Sequence, residues 1–153
     1  MGWRVKAALK KLDRLFTAYA ILNDARCVTC GAINPTLQGG HLFGRTRQSV
    51  KWDFRNCYCQ CASCNAKHEN NFMPLYRVAL KRLGQEEIDK LEAQSNEPYT
   101  DIDPEWIRSE MIKVIQQLPR WRQITTGMRV KIVKCDFTNK ELIANIHGYP
   151  MGT

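Results

Sequence analysis

Apolar residues recur at three- and four-residue steps over the first part of the chain, which is the period of an amphipathic helix. This pattern predicts a helix over residues 3–22, with an apolar face made of Val5, Leu9, Leu12, Leu15, Phe16, Tyr19 and Leu22. The opposite face carries basic residues, namely Arg4, Lys6, Lys10, Lys11 and Arg14. A basic helix face is usually only solvated, so a role in binding DNA is the less favoured interpretation of this face.

Three later segments are also predicted to be helical. Residues 73–83 have a proline in the first turn and are followed by Gly84, and these two residue types favour a helix start and a helix end respectively. Residues 85–94 form a second, acidic helix. The third helix opens at Asp103, which precedes a proline, and runs to about Leu118.

Two short segments have the pattern of a β-hairpin. Residues 39–44 read GGHLFG, a short stretch bounded by glycines, as expected of a strand that another element approaches closely. Residues 55–61 alternate, and one face of this second strand would hold Cys57, Cys59 and Cys61. After Cys64 the chain is expected to turn into a helix, so that a hairpin is followed by a helix.

The last part of the chain also alternates. From Met128 it reads MRVKIVK, which is typical of a strand, and we expect this strand to pair with residues 141–146. The pattern therefore predicts a β-like tail over residues 125–153, for which the sequence indicates no role.

The length of 153 residues suits a single domain, which we place at residues 1–124. It would contain the N-terminal helix, a cysteine-bearing module over residues 25–72 and a helical part over residues 73–124. The hydrophobic fraction of 44% and the charged fraction of 25% are those of a soluble globular protein. No stretch is long and apolar enough to span a membrane, and lysines interrupt any N-terminal signal. We expect a cytoplasmic protein, in the bacterial host cell if a phage encodes it.

The net charge of +8 is unevenly distributed along the chain. Residues 85–110 hold nine of the fifteen acidic residues and carry a charge of −7, which leaves +15 on the remainder. So basic a surface favours a polyanionic partner, most simply nucleic acid. The plainer alternative is a basic surface that is only solvated.

Four of the seven cysteines form two matched pairs, Cys27-x2-Cys30 and Cys61-x2-Cys64. Two such pairs supply the four thiolates of a tetrahedral structural Zn²⁺ site, and their spacing is typical of zinc-binding proteins. Unpaired thiols remain free to bind metal in a reducing compartment. The pairs enclose the predicted hairpin, so we expect the hairpin to be held by the metal.

The order Cys-x2-Cys, Gly-His, Asn, Cys-x2-Cys-Asn resembles that of HNH endonucleases, whose ββα-metal fold also occurs in phage endonuclease VII. The stretches CVTCG, GGH, FRN, QCxxCN and PLYRVALKRLGQEEIDKLE are similar to the NinG (Rap) family of phage recombination proteins. This resemblance spans about residues 10–118. It implies an α+β fold, in which a zinc-bound ββα-metal (HNH, treble-clef-like) module packs with several α-helices.

The resemblance implies a structure-specific endonuclease that acts on branched DNA, such as a Holliday junction or a D-loop. Junction-cutting enzymes often act as homodimers because they nick two strands, although the sequence shows no interface.

Hydrolysis of a phosphodiester requires a general base and a cation, here Mg²⁺ or Mn²⁺. His41 is the expected base because an imidazole titrates near neutral pH. Asn65 would offer an amide oxygen to the cation or, alternatively, cap the following helix. Asn56 matches the HNH asparagine that tethers the loop holding the histidine.

This sequence departs from the HNH pattern beside the histidine. Many HNH sites have Asp or His immediately before the base as a metal ligand, where this chain has Gly40. NinG-like sequences instead have Asp three residues before the histidine, where this chain has Gln38. Either His68 or Glu69 is then expected to complete the cation site, or cation binding is poor.

Four basic residues lie between the two predicted strands, with Trp52 and Phe54 among them, and are expected to contact DNA through phosphates: Arg45, Arg47, Lys51 and Arg55. Two other functions remain open. One is a zinc-containing recombination protein that binds junctions without cutting them, and the other is a structural zinc protein whose acidic segment docks a partner protein.

Overall fold

The computed structural model describes residues 2–99 and 101–148 and shows a mainly helical α/β fold with one small sheet. In chain order its elements are α1 (Trp3–Asp24), β1 (Gln38–His41), β2 (Cys57–Gln60), α2 (Ala62–His68), α3 (Met73–Ser95), α4 (Pro104–Ile115), α5 (Thr126–Val133) and α6 (Asn139–His147). None of the helices within the described ranges has the length and apolar character needed to cross a membrane.

The two strands form an antiparallel hairpin that is covered on both faces. His41 pairs with Cys57 and Gln38 pairs with Gln60, so the members of each pair share a face. α1 crosses the face that bears His41 and Cys57, and its approach is so close that a Cβ at Gly39 would lie 2.8 Å from Phe16 Cδ1. Only a glycine at this position lets α1 pack against the strand.

The core has two parts, one on each side of the hairpin. The larger part joins α1 to the hairpin, α4, α5 and α6, and its fully buried members include Leu12, Leu15, Ile21, Ile115, Leu142 and Ile143. The smaller part places α3 against the other face of the hairpin through Leu42, Tyr58, Leu75, Ala79 and Ile88. The hairpin is therefore fixed between α1 and α3.

The predicted helices of the first two thirds of the chain are confirmed. α1 extends the expected 3–22 segment by two residues and ends at Ala25, whose φ of 62° is left-handed. The predicted helices over 73–83 and 85–94 are the two halves of α3, separated by Gly84 with φ 80° and ψ 161°. α4 begins after Asp103 as expected but ends at Ile115, about a turn earlier than predicted.

Both strands of the expected hairpin are present, and each is four residues long. The helix that follows was placed too late by the sequence. α2 begins at Ala62, before Cys64, because the Cys61 Sγ accepts a hydrogen bond from the Cys64 N–H at 3.5 Å and so caps the helix.

The expectation of a β-like tail over residues 125–153 is wrong for the part that the structure describes, which forms α5 and α6. A strand would bury alternate residues, but α5 buries Met128 and Ile132, four residues apart, and leaves 46% of Val130 exposed. A threonine hydroxyl caps the N-terminus of each helix. Thr125 caps α5, and Thr138 forms a reciprocal capping box with Glu141 in α6. Residues 149–153 lie outside the described residues.

Candidate active site and metal centre

The four paired cysteines converge on one point. The Sγ atoms of Cys27, Cys30, Cys61 and Cys64 all lie within 4.8 Å of one another. The Sγ atoms of Cys30 and Cys61 are 3.8 Å apart, which is the edge of about 3.8 Å of a tetrahedron with Zn–S bonds of about 2.3 Å. The four thiols therefore fit a zinc ion.

Backbone N–H groups support each cysteine pair in the way zinc knuckles require. The N–H of Cys30 donates to Cys27 Sγ at 3.5 Å, and Cys64 makes the equivalent bond to Cys61. Burial raises the pKa of the Cys27 thiol, but hydrogen bonds from the backbone outweigh it and lower the pKa to about 7. Because four thiolates in contact repel one another, full ionisation of the cluster requires a bound cation.

A cleft of about 350 Å³ runs along the β1 edge of the sheet, between α1 and α2. It brings together His41 from β1 with Asn65, His68 and Glu69, residues that the sequence predicted for the base and for the cation. His41 reaches the cleft from the α1 face of the hairpin, and Asn65 from the α2 face. The cleft therefore has room for a group that contacts both.

His41 is held on two sides. Its ring stacks on Phe16 with 4.1 Å between centroids, and Nε2 lies 2.9 Å from the carbonyl oxygen of Lys51. A carbonyl only accepts, so Nε2 carries the proton of the neutral ring and Nδ1 carries the lone pair. Burial lowers the pKa of His41 to about 4, although the Lys51 carbonyl opposes the shift, and the charges of Arg45 and Lys51 lower it further. The ring is therefore neutral at pH 7 and able to accept a proton.

Asn56 is fully buried beside the cleft and does not line it. Its Oδ1 accepts from the N–H of Phe43 at 2.7 Å, and its Nδ2 donates to the carbonyl oxygens of Phe43 and Val50 at 2.9 and 3.2 Å. These bonds tie both ends of the loop that follows His41. Asn56 is therefore a positioning residue, and it has no access to a substrate.

The three residues that the sequence predicted as cation ligands, Asn65, His68 and Glu69, lie along or just after α2 at the wall of the cleft. His68 Nε2 lies 2.9 Å from the carbonyl oxygen of Leu42, so its Nδ1 is an acceptor, and that atom is buried without a hydrogen-bond partner. A histidine whose other ring nitrogen donates to a carbonyl is the usual arrangement of a metal ligand. Asn65 does not cap α2, since Cys61 does, and its amide oxygen is a donor that Mg²⁺ and Mn²⁺ accept. Exposed Glu69, one turn further along the cleft wall, supplies a carboxylate.

The two departures from the HNH pattern have different surroundings. A Cβ at Gly40 would collide with Gln60 Oε1 and lie 3.1 Å from Asn65 Oδ1, so a larger residue there requires the Gln60 side chain to move. Gln38 lines the cleft and lies opposite Gln60 in the sheet. At these two positions β1 therefore contributes one neutral amide and a glycine, neither of which is a charged or imidazole ligand.

The four predicted DNA-binding residues are not equivalent. Arg45 lines the cleft, and its side chain is 68% exposed, with a 3.8 Å ion pair to Asp13. Arg47 donates to the Asn96 side chain, and the Lys51 ammonium lies 4.7 Å from the centre of the Trp52 ring. The guanidinium of Arg55 forms ion pairs with Asp53 at 2.6 Å and with Glu87 at 2.7 Å. Arg55 therefore joins the loop to α3, and Arg45 is the best placed of the four to meet a phosphate.

One residue of the cleft was missed by the sequence analysis. Asp13 of α1 lines the cleft with His41 and Glu69 and is half-buried. The negative charge of Asp13 was the overlooked signal, because it is an isolated acid on a side of the helix that otherwise carries lysine and arginine.

Comparison with known proteins identifies the family. The sequence profile described as "Bacteriophage Lambda NinG protein" matches residues 5–120. "Protein ninG" of Escherichia phage 933W is 33% identical over 95 residues, and "Protein ninG" of Escherichia phage lambda is 32% identical over 95 residues. These alignments cover 60% of this chain and 42% of each relative, so the chain spans less than half the length of the curated relatives it matches. No solved structure matches the chain significantly. Because the profile match runs from α1 into the segment after α4 and includes both cysteine pairs and the cleft, the chain belongs to the NinG family.

Proposed function

We propose that this protein is a metal-dependent HNH-type endodeoxyribonuclease that cuts branched recombination intermediates. One observation carries the proposal: a neutral, oriented imidazole and a set of oxygen and nitrogen donors line the same cleft, beside a cluster of four thiols that fits zinc. The preference for branched DNA rests on the chain's membership of the NinG family of phage recombination proteins.

Each residue of the cleft would have its own role in hydrolysis of the phosphodiester bond. Water attacks the phosphorus, and its proton passes to Nδ1 of His41 while the bond from phosphorus to the leaving oxygen breaks. Asn65, His68 and Glu69 would hold a Mg²⁺ or Mn²⁺ ion, which would supply positive charge to stabilise the leaving oxygen. Asn56 and the Lys51 carbonyl keep the imidazole in the required tautomer and position.

Charge supports DNA as the substrate. Outside the acidic segment of residues 85–110 the chain carries +15, and exposed Arg45 lies at the cleft itself. A duplex or junction laid across β1 would therefore meet Arg45 at the cleft, beside the acidic residues Asp13 and Glu69, and place one phosphate there.

The experiment compares four-way junction, D-loop and linear duplex DNA, each incubated with the zinc-loaded protein and Mg²⁺ or Mn²⁺. We expect cleavage of the branched substrates, and a loss on the order of 10²- to 10⁴-fold in the single-turnover rate of His41→Ala. Native mass spectrometry checks that the variant retains zinc. Absence of cutting by the wild-type protein, or equal cutting by the variant, contradicts the proposal.

The competing function is a zinc-containing recombination protein that binds junctions without cutting them. It is favoured by one observation, that neutral Gly40 and Gln38 stand where related sites have ligands. It predicts salt-sensitive junction binding that His41→Ala leaves unchanged, together with no cleavage by either protein.

A further inference from the structure

The N-terminal end of α1 projects beyond the cleft. Residues 3–7 are all exposed, and the first buried residue of the helix is Leu12. The part of α1 that follows forms a wall of the cleft through Asp13, Phe16 and Thr17. More than one turn of helix therefore continues from the cleft wall into solvent.

Lys6 and Lys10 lie on the side of α1 that faces the cleft. An α-helix turns about 100° per residue, so positions 6, 10, 13 and 17 fall within an arc of about 60°. Asp13 and Thr17 in this arc line the cleft, and the two lysines continue the same side of the helix toward its N-terminus. Lys6 precedes Asp13 by about 10 Å along the helix axis, which equals roughly three base steps of a duplex.

The structure divides the basic face that the sequence predicted for α1. Arg14 donates from Nη1 to the carbonyl oxygen of Phe137 at 3.1 Å. Lys11 is exposed but is turned about 100° away from Lys10. Lys6 and Lys10 are exposed as well, and within the described part of the chain neither ammonium has an ion pair or a hydrogen bond. These two charges are therefore free to meet a ligand beside the cleft.

The single acid on this side of the helix does not cancel the two lysines. Asp13 forms an ion pair of 3.8 Å with Arg45 of the loop that follows β1. Two lysines and one arginine against one aspartate leave a charge of +2 on these four side chains. A phosphate at Arg45 and further phosphates at Lys10 and Lys6 would follow one line, from the cleft along α1.

We propose that Lys6 and Lys10 bind the phosphates of a DNA arm that leaves the cleft along α1. A strand with one phosphate at His41 continues on both sides of it, and one direction leads past Asp13 to the two free ammonium groups. Lysine contacts a phosphate as a point charge, so this surface adds affinity without selecting a base sequence. The inference rests on the proposed function for its ligand, DNA, and is independent of whether the DNA is cut.

The test is fluorescence anisotropy of a labelled four-way junction at several salt concentrations. The protein is zinc-loaded, and no Mg²⁺ or Mn²⁺ is added, so that binding is measured without cleavage. The double variant Lys6→Ala/Lys10→Ala should reduce the slope of log affinity against log salt by about 2 and weaken binding on the order of tenfold at about 0.15 M salt. Alanine favours a helix, so α1 should remain folded, which circular dichroism checks.

The matched control is Lys11→Ala/Lys81→Ala, which removes the same charge from exposed positions away from the cleft side of α1. Lys11 is on another side of that helix, and Lys81 is on α3, across the hairpin. Because exposed charges more than about 10 Å from a phosphate are largely screened at about 0.1 M salt, the control should change the slope by less than about 0.5.

Each outcome decides the inference. An equal loss in both double variants would mean that only the overall charge matters, and the inference is overturned. An unchanged slope in Lys6→Ala/Lys10→Ala, or a wild-type protein that binds no junction, overturns it as well. If the slope falls as expected and the wild-type protein cuts no DNA, the inference holds and the proposed nuclease function fails. If the wild-type protein cuts junctions and the slope is unchanged, the nuclease function stands and the arm follows another path.

Discussion

At the scale of single residues, the environment of His41 keeps its imidazole neutral at unusually low pH. Its pKa is lowered to about 4, chiefly by burial, and the Lys51 carbonyl holds the proton on Nε2. An ordinary histidine with a pKa of about 6.5 is mostly protonated at pH 5.5 and cannot accept a proton. His41 is mostly neutral at pH 5.5, since that pH lies above its own pKa.

We therefore expect the cleavage rate to change little between pH 7.5 and pH 5.5, where an unperturbed histidine base would lose about tenfold. Single-turnover rates on a junction substrate measure this, and an NMR titration of the His41 ring, assigned by its loss in His41→Ala, gives the pKa directly. A midpoint near 6.5 in the NMR titration would show that the His41 ring is hydrated and not packed on Phe16.

Asn56 offers a prediction about stability at the same scale. Replacement by alanine removes three hydrogen bonds and leaves the N–H and the carbonyl of Phe43 and the carbonyl of Val50 without that partner. We expect Asn56→Ala to lower the free energy of unfolding by roughly 2–4 kcal/mol. Urea unfolding of the zinc-loaded protein measures the loss, with exposed Asn70→Ala as the control. Equal stability of the two variants would mean that the loop is held by other contacts.

At the scale of elements, the loop between the strands combines a structural arginine with a cleft arginine. Arg45→Ala should weaken binding to every DNA form and reduce the slope of log affinity against log salt by about 1, because one phosphate contact is lost. Arg55→Ala should leave that slope unchanged and lower stability by roughly 1 kcal/mol, because its ion pairs link the loop to α3. Fluorescence anisotropy at several salt concentrations and urea unfolding separate the two effects. A reduced salt slope in Arg55→Ala would reverse this assignment.

The elements also show where sequence patterns succeed and where they fail. α1 and α3 were predictable because their apolar residues keep helical spacing over several turns. α5 was mistaken for a strand because seven residues of MRVKIVK fit both periods, and only the packing of Met128 and Ile132 on the core decides between them. For α6 a local signal did exist, since Thr138 and Glu141 have the spacing of a capping box at the start of a helix.

At the scale of the whole molecule, the candidate site depends on contacts between distant segments. The order of cysteines, histidine and asparagines was sufficient to predict that the four paired cysteines converge and that His41 and Asn65 line one cleft. It could not show that Asp13 of α1 lines the same cleft, or that Arg55 is occupied by Glu87 of α3. These pairings arise because the hairpin is enclosed between two helices, and that arrangement is a property of tertiary packing.

The four-thiol cluster joins the loop that follows α1 to the start of α2, and the hairpin lies in the chain between them. Cys27 and Cys61 belong to the same buried core as α1, while Cys30 is exposed. The helices α1, α4, α5 and α6 share apolar contacts that do not involve the thiols. Loss of zinc should therefore release the hairpin and α2 before it unfolds these helices.

Cys30→Ser tests this dependence with little disturbance of packing, because the residue is exposed. We expect loss of bound zinc, a fall of several kcal/mol in the free energy of unfolding and loss of DNA cleavage, since His41 and Asn65 no longer face one cleft. Most of the far-UV helical signal should remain. Native mass spectrometry, urea unfolding, the junction-cleavage assay and circular dichroism measure these four properties in turn. Buried Cys135 lies outside the cluster, so Cys135→Ser should keep one zinc ion per chain. Unchanged stability and cleavage in Cys30→Ser would show that the hairpin is held by its helices alone.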